Sequence, residues 1–293
     1  MSPRVPGIQA QGISFSYPGK TQALDELDFT AAPGEFIGLL GPNGSGKTTL
    51  LKVLLRLLAP QAGSVRLDGR DIRQFGAAEL YQQIGMVFQN PNDQLWAPTV
   101  EEDVAFGPRN LDLPADEVRT RVEESLAATE ASHLARRPIH HLSFGEQKRV
   151  CVAGVLAMRP SILLLDEPTA GLDPNCERHM VELLRRLNRQ QGITILMATH
   201  SVDLLPLLAT RLYVLAKGRV LKEGGLPEIL GDPELVARAG LRLPLVSQLF
   251  HMLETGDGLP VDRLPLTVGE ARQQFLEMLG NKVTPEMTEH HET

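Results

Sequence analysis

The sequence predicts an α/β fold: a sheet core interrupted by a helical subdomain at about 95–155 and followed, after a boundary near 225, by a helical extension at 226–293. Three observations carry this expectation. The first is Gly41-Pro42-Asn43-Gly44-Ser45-Gly46-Lys47-Thr48, set between an apolar run at 36–40 and a helical pattern at 49–58. The spacing G-x-x-x-x-G-K-[ST] in a strand–loop–helix setting is that of a phosphate-binding loop. The second is a pair of apolar runs, 162–165 and 193–198, the latter broken only by Thr194, the kind of strand that sits in a parallel sheet covered on both faces. The third is a shift of composition after Gly224-Gly225 to short segments broken by Pro227, Pro233, Pro244, Pro260 and Pro265.

The elements follow in order. Residues 8–15 and 24–31 alternate or run apolar and read as strands, with Tyr17-Pro18-Gly19 as a turn between them. Residues 36–40 form a buried strand. The helix expected at 49–58 carries leucines on more than one face, which predicts burial. Further strands are expected at 63–67 and 84–88. From 100 to about 155 the pattern turns helical, with segments at 115–131 and 145–158. An amphipathic helix at 177–191 links the two central strands, and 212–215 and 219–222 read as a hairpin around Lys217-Gly218. The polar tail, 286–293, reads as disordered.

Composition narrows the function. The chain has 293 residues, 42% hydrophobic and 22% charged, enough for a packed core. A net charge of -7 and a pI of about 5.7 argue against nucleic acid as a partner. Cys151 and Cys176 sit in no metal-ligand spacing and read as reduced thiols of a cytosolic protein. No apolar run reaches the ~18–20 residues that span a bilayer, and residues 1–7 lack the apolar stretch of a signal peptide. A role at a membrane therefore requires other chains to hold the protein there.

The candidate site is built from strand ends. In the glycine-rich loop, backbone N–H groups wrap the β- and γ-phosphates and Gly44 and Gly46 permit close approach. Lys47 sets a positive charge on those phosphates, the Thr48 hydroxyl is a Mg²⁺ ligand, and Thr49 completes the binding stretch Gly41, Pro42, Asn43, Gly44, Ser45, Gly46, Lys47, Thr48, Thr49. Asp166 ends the run 162–165 and orients Mg²⁺, and Glu167 beside it is placed to act as general base on the attacking water. His200 and Gln89 each follow an apolar strand, where side chains point into the ligand crevice of an α/β sheet. His200 is expected near the γ-phosphate, and Gln89 near Mg²⁺ or the water. Ser143 and Gly145 open a helix, whose N-terminus is an anion site; with one phosphate loop already present, this second site suits a partner's nucleotide. Tyr17 is placed to stack on a base.

Together these residues resemble an ABC-transporter ATPase. The loop 41–48 matches its Walker A motif, Gln89 the Q-loop, Leu142-Ser143-Phe144-Gly145-Glu146 the signature motif and 162–167 the Walker B strand with its glutamate. Ala170-Gly171-Leu172-Asp173 matches the D-loop, His200 the switch histidine and Tyr17 the adenine-stacking aromatic. The resemblance implies a P-loop NTPase core and an ATP- and Mg²⁺-dependent ATPase that closes as a head-to-tail dimer, a homodimer being favoured. Each site would pair one chain's Walker A loop with Ser143 and Gly145 of the other.

Residues 88–108 are similar to the energy-coupling-factor branch of importers, and 149–158, 241–244 and 264–267 to its cobalt and nickel ATPases. That implies a peripheral location on the cytoplasmic face of the cell membrane, with a transmembrane coupling protein and a substrate-binding membrane subunit as partners. In that branch acidic residues of a groove beside the Q-loop grip the coupling protein; Asp93 is the expected contact, then Glu101 and Glu102. The extension, with Leu245, Leu249, Phe250 and Leu253, is expected to stabilise the ATPase dimer. Phe144 and Glu146 depart from the usual Leu-Ser-Gly-Gly-Gln signature, and a negative Glu146 is expected to weaken closure. Asn92, where the branch often has Asp, makes the groove one charge weaker. The alternatives are an ATPase for a vitamin importer of the same branch, a soluble ABC protein of DNA repair or translation, and a binding module that has lost hydrolysis.

Overall fold

The computed structural model describes residues 7–19 and 21–279; the tail expected to be disordered, 286–293, lies outside them. β1 (Ile8–Ser16) and β2 (Gln22–Ala31) pair antiparallel. Along β1 the buried positions are Ile8 and Ala10, then Ile13 and Phe15. The parity flips because the register shifts there and Gly12 takes a φ of 58°, a bulge that glycine accommodates. Glu26, at φ 47°, marks the same switch in β2, between buried Leu24 and buried Leu27, Phe29 and Ala31.

β3 (Phe36–Leu40) leads into the glycine-rich loop and α1 (Lys47–Leu54) leads out of it. The helix therefore begins and ends earlier than the expected 49–58. It stops because Arg56 turns left-handed at φ 60° and the amides of Leu57 and Leu58 bond back to the Lys52 carbonyl. β4 (Ala62–Leu67) and the short β5 (Arg70–Asp71) complete a four-stranded sheet of order β2-β1-β4-β5. α2 (Ala77–Gln83), which the sequence reading passes over, buries only Leu80 and leads into β6 (Ile84–Val87).

α3 (Val100–Asn110), α4 (Ala115–Ala128) and α5 (Phe144–Leu156) pack on one another through Val104, Val118, Val122, Leu126 and Val150. β7 (Ile162–Asp166) follows, then α6 (Pro174–Gln191). That helix starts three residues before the expected 177, because the Asp173 carboxylate accepts from the amides of Asn175 and Cys176 and Pro174 has no amide to satisfy. β8 (Thr194–Thr199), α7 (Leu205–Leu208), β9 (Arg211–Ala216) and β10 (Arg219–Gly224) finish a six-stranded sheet of order β10-β9-β3-β8-β7-β6, parallel except for β10.

β3, β7 and β8 are buried along their whole length. One core lies between the two sheets and encloses α1; the other lies under α3 to α7. Beyond 225 the chain forms α8 (Leu226–Leu230), α9 (Pro233–Arg238), α10 (Leu245–Asp257) and α11 (Val268–Met278). Ile229, Leu230, Leu235 and Ala239 join the second core, whereas Leu245, Leu249 and Met252 on α10 are exposed. The parallel register brings the carboxyl ends of β3, β6, β7 and β8 to one edge of the large sheet, where α/β sheets bind ligands.

Candidate active site

At that edge a cleft of about 430 Å³ is lined by Tyr17, the loop residues Asn43 to Thr49, Gln89, Asp166, Glu167 and His200. Elements from five parts of the sequence thus meet where the strand ends predict. Gly41, Gly44 and Gly46 all take positive φ. At Gly46 a Cβ would sit 2.7 Å from the Ala23 carbonyl oxygen, so a side chain there would push the loop off β2. Lys47 is buried and its Nζ donates to the carbonyls of Gly41 (2.6 Å) and Pro42 (3.2 Å), which curls the loop around the ammonium. Burial lowers its pKa, and the charges of Glu167 and Asp166 oppose that. The Ser45 hydroxyl is buried in the same loop with no hydrogen-bond partner among the described residues. A buried orphan hydroxyl in a ring of amides fits a phosphate oxygen as its acceptor.

The Thr48 hydroxyl donates to Asp166 Oδ2 at 2.8 Å. Burial pushes the Asp166 carboxyl above its ordinary range, and the Thr48 hydrogen bond partly offsets it. Two hard oxygen donors side by side suit a magnesium ion, which takes few protein ligands and fills the rest with phosphate oxygen and water.

Glu167 is buried and left-handed at φ 48°, with its amide held by the Ala198 carbonyl. Its carboxylate accepts from the Thr199 hydroxyl (3.1 Å) and meets His200 Nδ1 at 2.8 Å. With the carboxylate as acceptor, the contact takes its hydrogen from Nδ1, the tautomer that leaves Nε2 for another partner. The Tyr17 hydroxyl lies 3.4 Å from Thr49 Oγ1, and the ring meets Phe15 edge-on at 4.9 Å.

Ser143 and Gly145 stand outside this cleft, at the start of α5. Ser143 caps the helix: its amide (2.7 Å) and hydroxyl (2.9 Å) donate to Glu146 Oε2. Arg137 pairs with the other Glu146 oxygen at 3.0 Å. Gly145 lies against Cys176, where a Cβ would meet the sulfur at 2.8 Å.

Three residues escape the sequence reading. Thr199 was legible only as strand. Arg137 carries no motif. Lys148 is buried inside α5 and reaches the backbone of both Gln89 and Glu167; the one signal was a lysine amid the apolar positions of a buried helix.

A second, shallower groove of about 200 Å³ opens between β6 and α3, lined by Tyr81, Gln94, Trp96, Phe106 and Met158 among others. Trp96 and Phe106 are exposed and meet edge-on at 4.7 Å. Asp93, Glu101 and Glu102 do not line it, and Glu102 is held by the Thr99 hydroxyl at 2.8 Å.

Comparison with known proteins agrees with this geometry. Residues 24–170 match the model of the ABC transporter family. The chain is 46% identical over 274 residues to the energy-coupling factor transporter ATP-binding protein EcfA of Methanococcus maripaludis, covering 93% of this chain and 98% of that protein. Among solved structures it is similar to CbiO1 of Clostridium perfringens, described as part of the ABC transporter complex CbiONQ, with TM-score 0.71, 39% identity and coverage of 83% and 98%. It is also similar to a dimeric ATP-binding cassette in a post-hydrolysis state with ADP and Pi, at TM-score 0.68, 30% identity and coverage of 75% and 98%. A phosphate loop, a Thr–Asp pair and a Glu–His pair on one sheet edge, in a chain that matches these proteins over most of its length, place it in the ABC transporter ATPase family.

Proposed function

We propose that this chain is the ATP-hydrolysing subunit of an energy-coupling-factor importer, and that the importer carries cobalt or nickel ions. The observation that carries the ATPase reading is the meeting of Lys47, Thr48, Asp166, Glu167 and His200 in one cleft. The importer reading is supported by the similarity to EcfA and CbiO1. The metal reading leans on the resemblance at 149–158, 241–244 and 264–267, and metal ions are cargo handled by membrane subunits.

In this reading Gly41 to Thr49 hold the ATP phosphates, with Lys47 turning from the loop carbonyls to the β- and γ-phosphates, and Tyr17 stacks on adenine. Thr48 and Asp166, with Gln89, hold Mg²⁺, which neutralises phosphate charge when bound. Glu167 takes the proton of the attacking water, and His200 orients that carboxylate through Nδ1. Two copies pair, as the similar cassette does, and in this reading they do so head to tail, so that Ser143 and Gly145 of one chain meet the nucleotide of the other. The Trp96 groove takes the transmembrane coupling protein, and the exposed leucines of α10 support the paired state. Among the described residues no helix is long and apolar enough to cross a membrane, so this reading has other chains hold the protein at the cytoplasmic face.

The test is accumulation of labelled cobalt or nickel in cells carrying this chain with its membrane subunits, wild type against Lys47→Ala. Metal uptake that the substitution abolishes is the expected result. ATP turnover without metal uptake moves the substrate to a vitamin or other cargo and keeps the motor.

A further inference from the structure

Lys148 is the one buried cation of α5 that the reaction scheme above does not use. Its side chain is fully buried. Its ammonium donates to the carbonyl of Gln89 at 2.5 Å and to that of Glu167 at 3.1 Å. The Phe144 ring lies 5.7 Å from Nζ. Among the described residues it forms no ion pair with a carboxylate; main-chain dipoles answer its charge. Burying an ammonium this way is expensive, and an apolar side chain of similar length would fill the space at lower cost. Burial accordingly holds its pKa below the ordinary lysine value.

The two carbonyls belong to residues with roles in the proposed reaction, Gln89 beside Mg²⁺ and Glu167 on the attacking water. Gln89 lies two residues past β6, where no ladder fixes its backbone, and Glu167 stands in a left-handed conformation just past β7. Both carbonyls are held by one side chain. That side chain rides on α5, five residues from Ser143, about 7–8 Å along the helix at its usual rise.

We propose that Lys148 is a positioning residue for ATP hydrolysis. It ties the helix bearing Ser143 and Gly145 to the backbones of Gln89 and Glu167, so that movement of the helix start is passed to the groups that handle water. This rests on the assignment of Gln89 and Glu167 to hydrolysis. It calls for no contact between Lys148 and nucleotide.

The experiment is steady-state ATP hydrolysis by the full-length chain, with nucleotide affinity measured separately with a fluorescent ATP analogue. Lys148→Met keeps the length and removes the donor. It is expected to lower kcat on the order of 10- to 100-fold, the scale of a small misplacement of reacting groups, with affinity changed less than about threefold. Lys148→Arg, which keeps charge and donors, is expected to recover most of that loss. A Met variant with kcat within about twofold of wild type overturns the proposal. So does an Arg variant no better than Met with affinity lost in step, the mark of a merely structural lysine; Lys148→Gln, a shorter neutral donor, guards against misfolding of the Met variant and should fall between. Glu167→Gln run in parallel separates the two levels. If it turns over like wild type, the assignment of Glu167 falls and this inference with it; if it is silent while Lys148→Met is active, only the role of Lys148 falls.

Discussion

Asp166 sits where burial favours the neutral carboxyl over the charged one. Its carboxyl is buried at the end of β7, with the Thr48 hydroxyl as its hydrogen-bond donor, and its pKa is raised by burial. A carboxyl whose folded pKa lies above its unfolded value stabilises the fold at low pH and loses that contribution as pH rises through the folded value. At neutral pH the charged form therefore opposes folding. Asp166→Asn keeps the acceptor for Thr48 and removes the charge. It should raise the melting temperature at neutral pH by about 2–4 °C for each kcal/mol recovered, and the gain should shrink as pH is lowered through the raised titration. ATP hydrolysis should be lost. An Asn variant that melts lower than wild type at neutral pH would refute this. The site residues with fixed chemistry in a fixed spacing, Lys47, Thr48, Asp166 and Glu167, were legible in the sequence. Lys148 and Thr199 were not, because their partners are backbone carbonyls and a neighbouring carboxylate, and no spacing rule encodes which carbonyl a buried lysine will find.

At the scale of the element, α5 opens on a closed ring of hydrogen bonds. Ser143 and Glu146 form a capping box, and Arg137 stands on the outer oxygen of Glu146. The sequence alone made Glu146 an unbalanced negative charge; the structure balances it. The ordinary logic of a helix start, an acid near the exposed amides, accounts for the pairing with Ser143, and backbone hydrogen bonding from Ser143 holds the Glu146 pKa below its usual range. Arg137→Ala should uncover that charge and raise the ATP concentration for half-maximal hydrolysis by roughly two- to fivefold, the range of an exposed ion pair. Adding Glu146→Gln should reverse the change. If the double variant is as impaired as Arg137→Ala, the arginine acts by another route. Element boundaries were the least legible part of the fold. α1 stops early because Arg56 turns left-handed, and β1 and β2 change face at Gly12 and Glu26; a positive φ at a non-glycine residue leaves no trace in a hydrophobic pattern. α2 escaped because it buries one residue, too few to set up a helical period.

The described residues divide their apolar surface between two packed cores and several exposed sets. The burial of β7 and β8 follows from their apolar runs, since a parallel strand covered on both faces has to read that way; the order of strands is set by pairing between distant segments and was not legible. The placement of α8 and α9 in the second core could not be read from their sequence, because each is a short helix with a proline in its first turn and too few apolar positions to set up a period. Two of the exposed sets are the α10 stripe and the groove at Trp96 and Phe106. The second has an optical consequence. Trp96 is the only tryptophan in the chain, and 64% of it faces solvent. Intrinsic emission excited in the red tail of indole absorption therefore reports this groove and nothing else, without any label. The free chain should emit at the long wavelengths of hydrated indole and be quenched efficiently by iodide. Addition of the membrane coupling protein should shift the emission to the blue and slow the quenching, whereas ATP alone, bound in a cleft that Trp96 does not line, should leave both nearly unchanged. A blue shift with ATP and none with the membrane protein would place the docking face elsewhere.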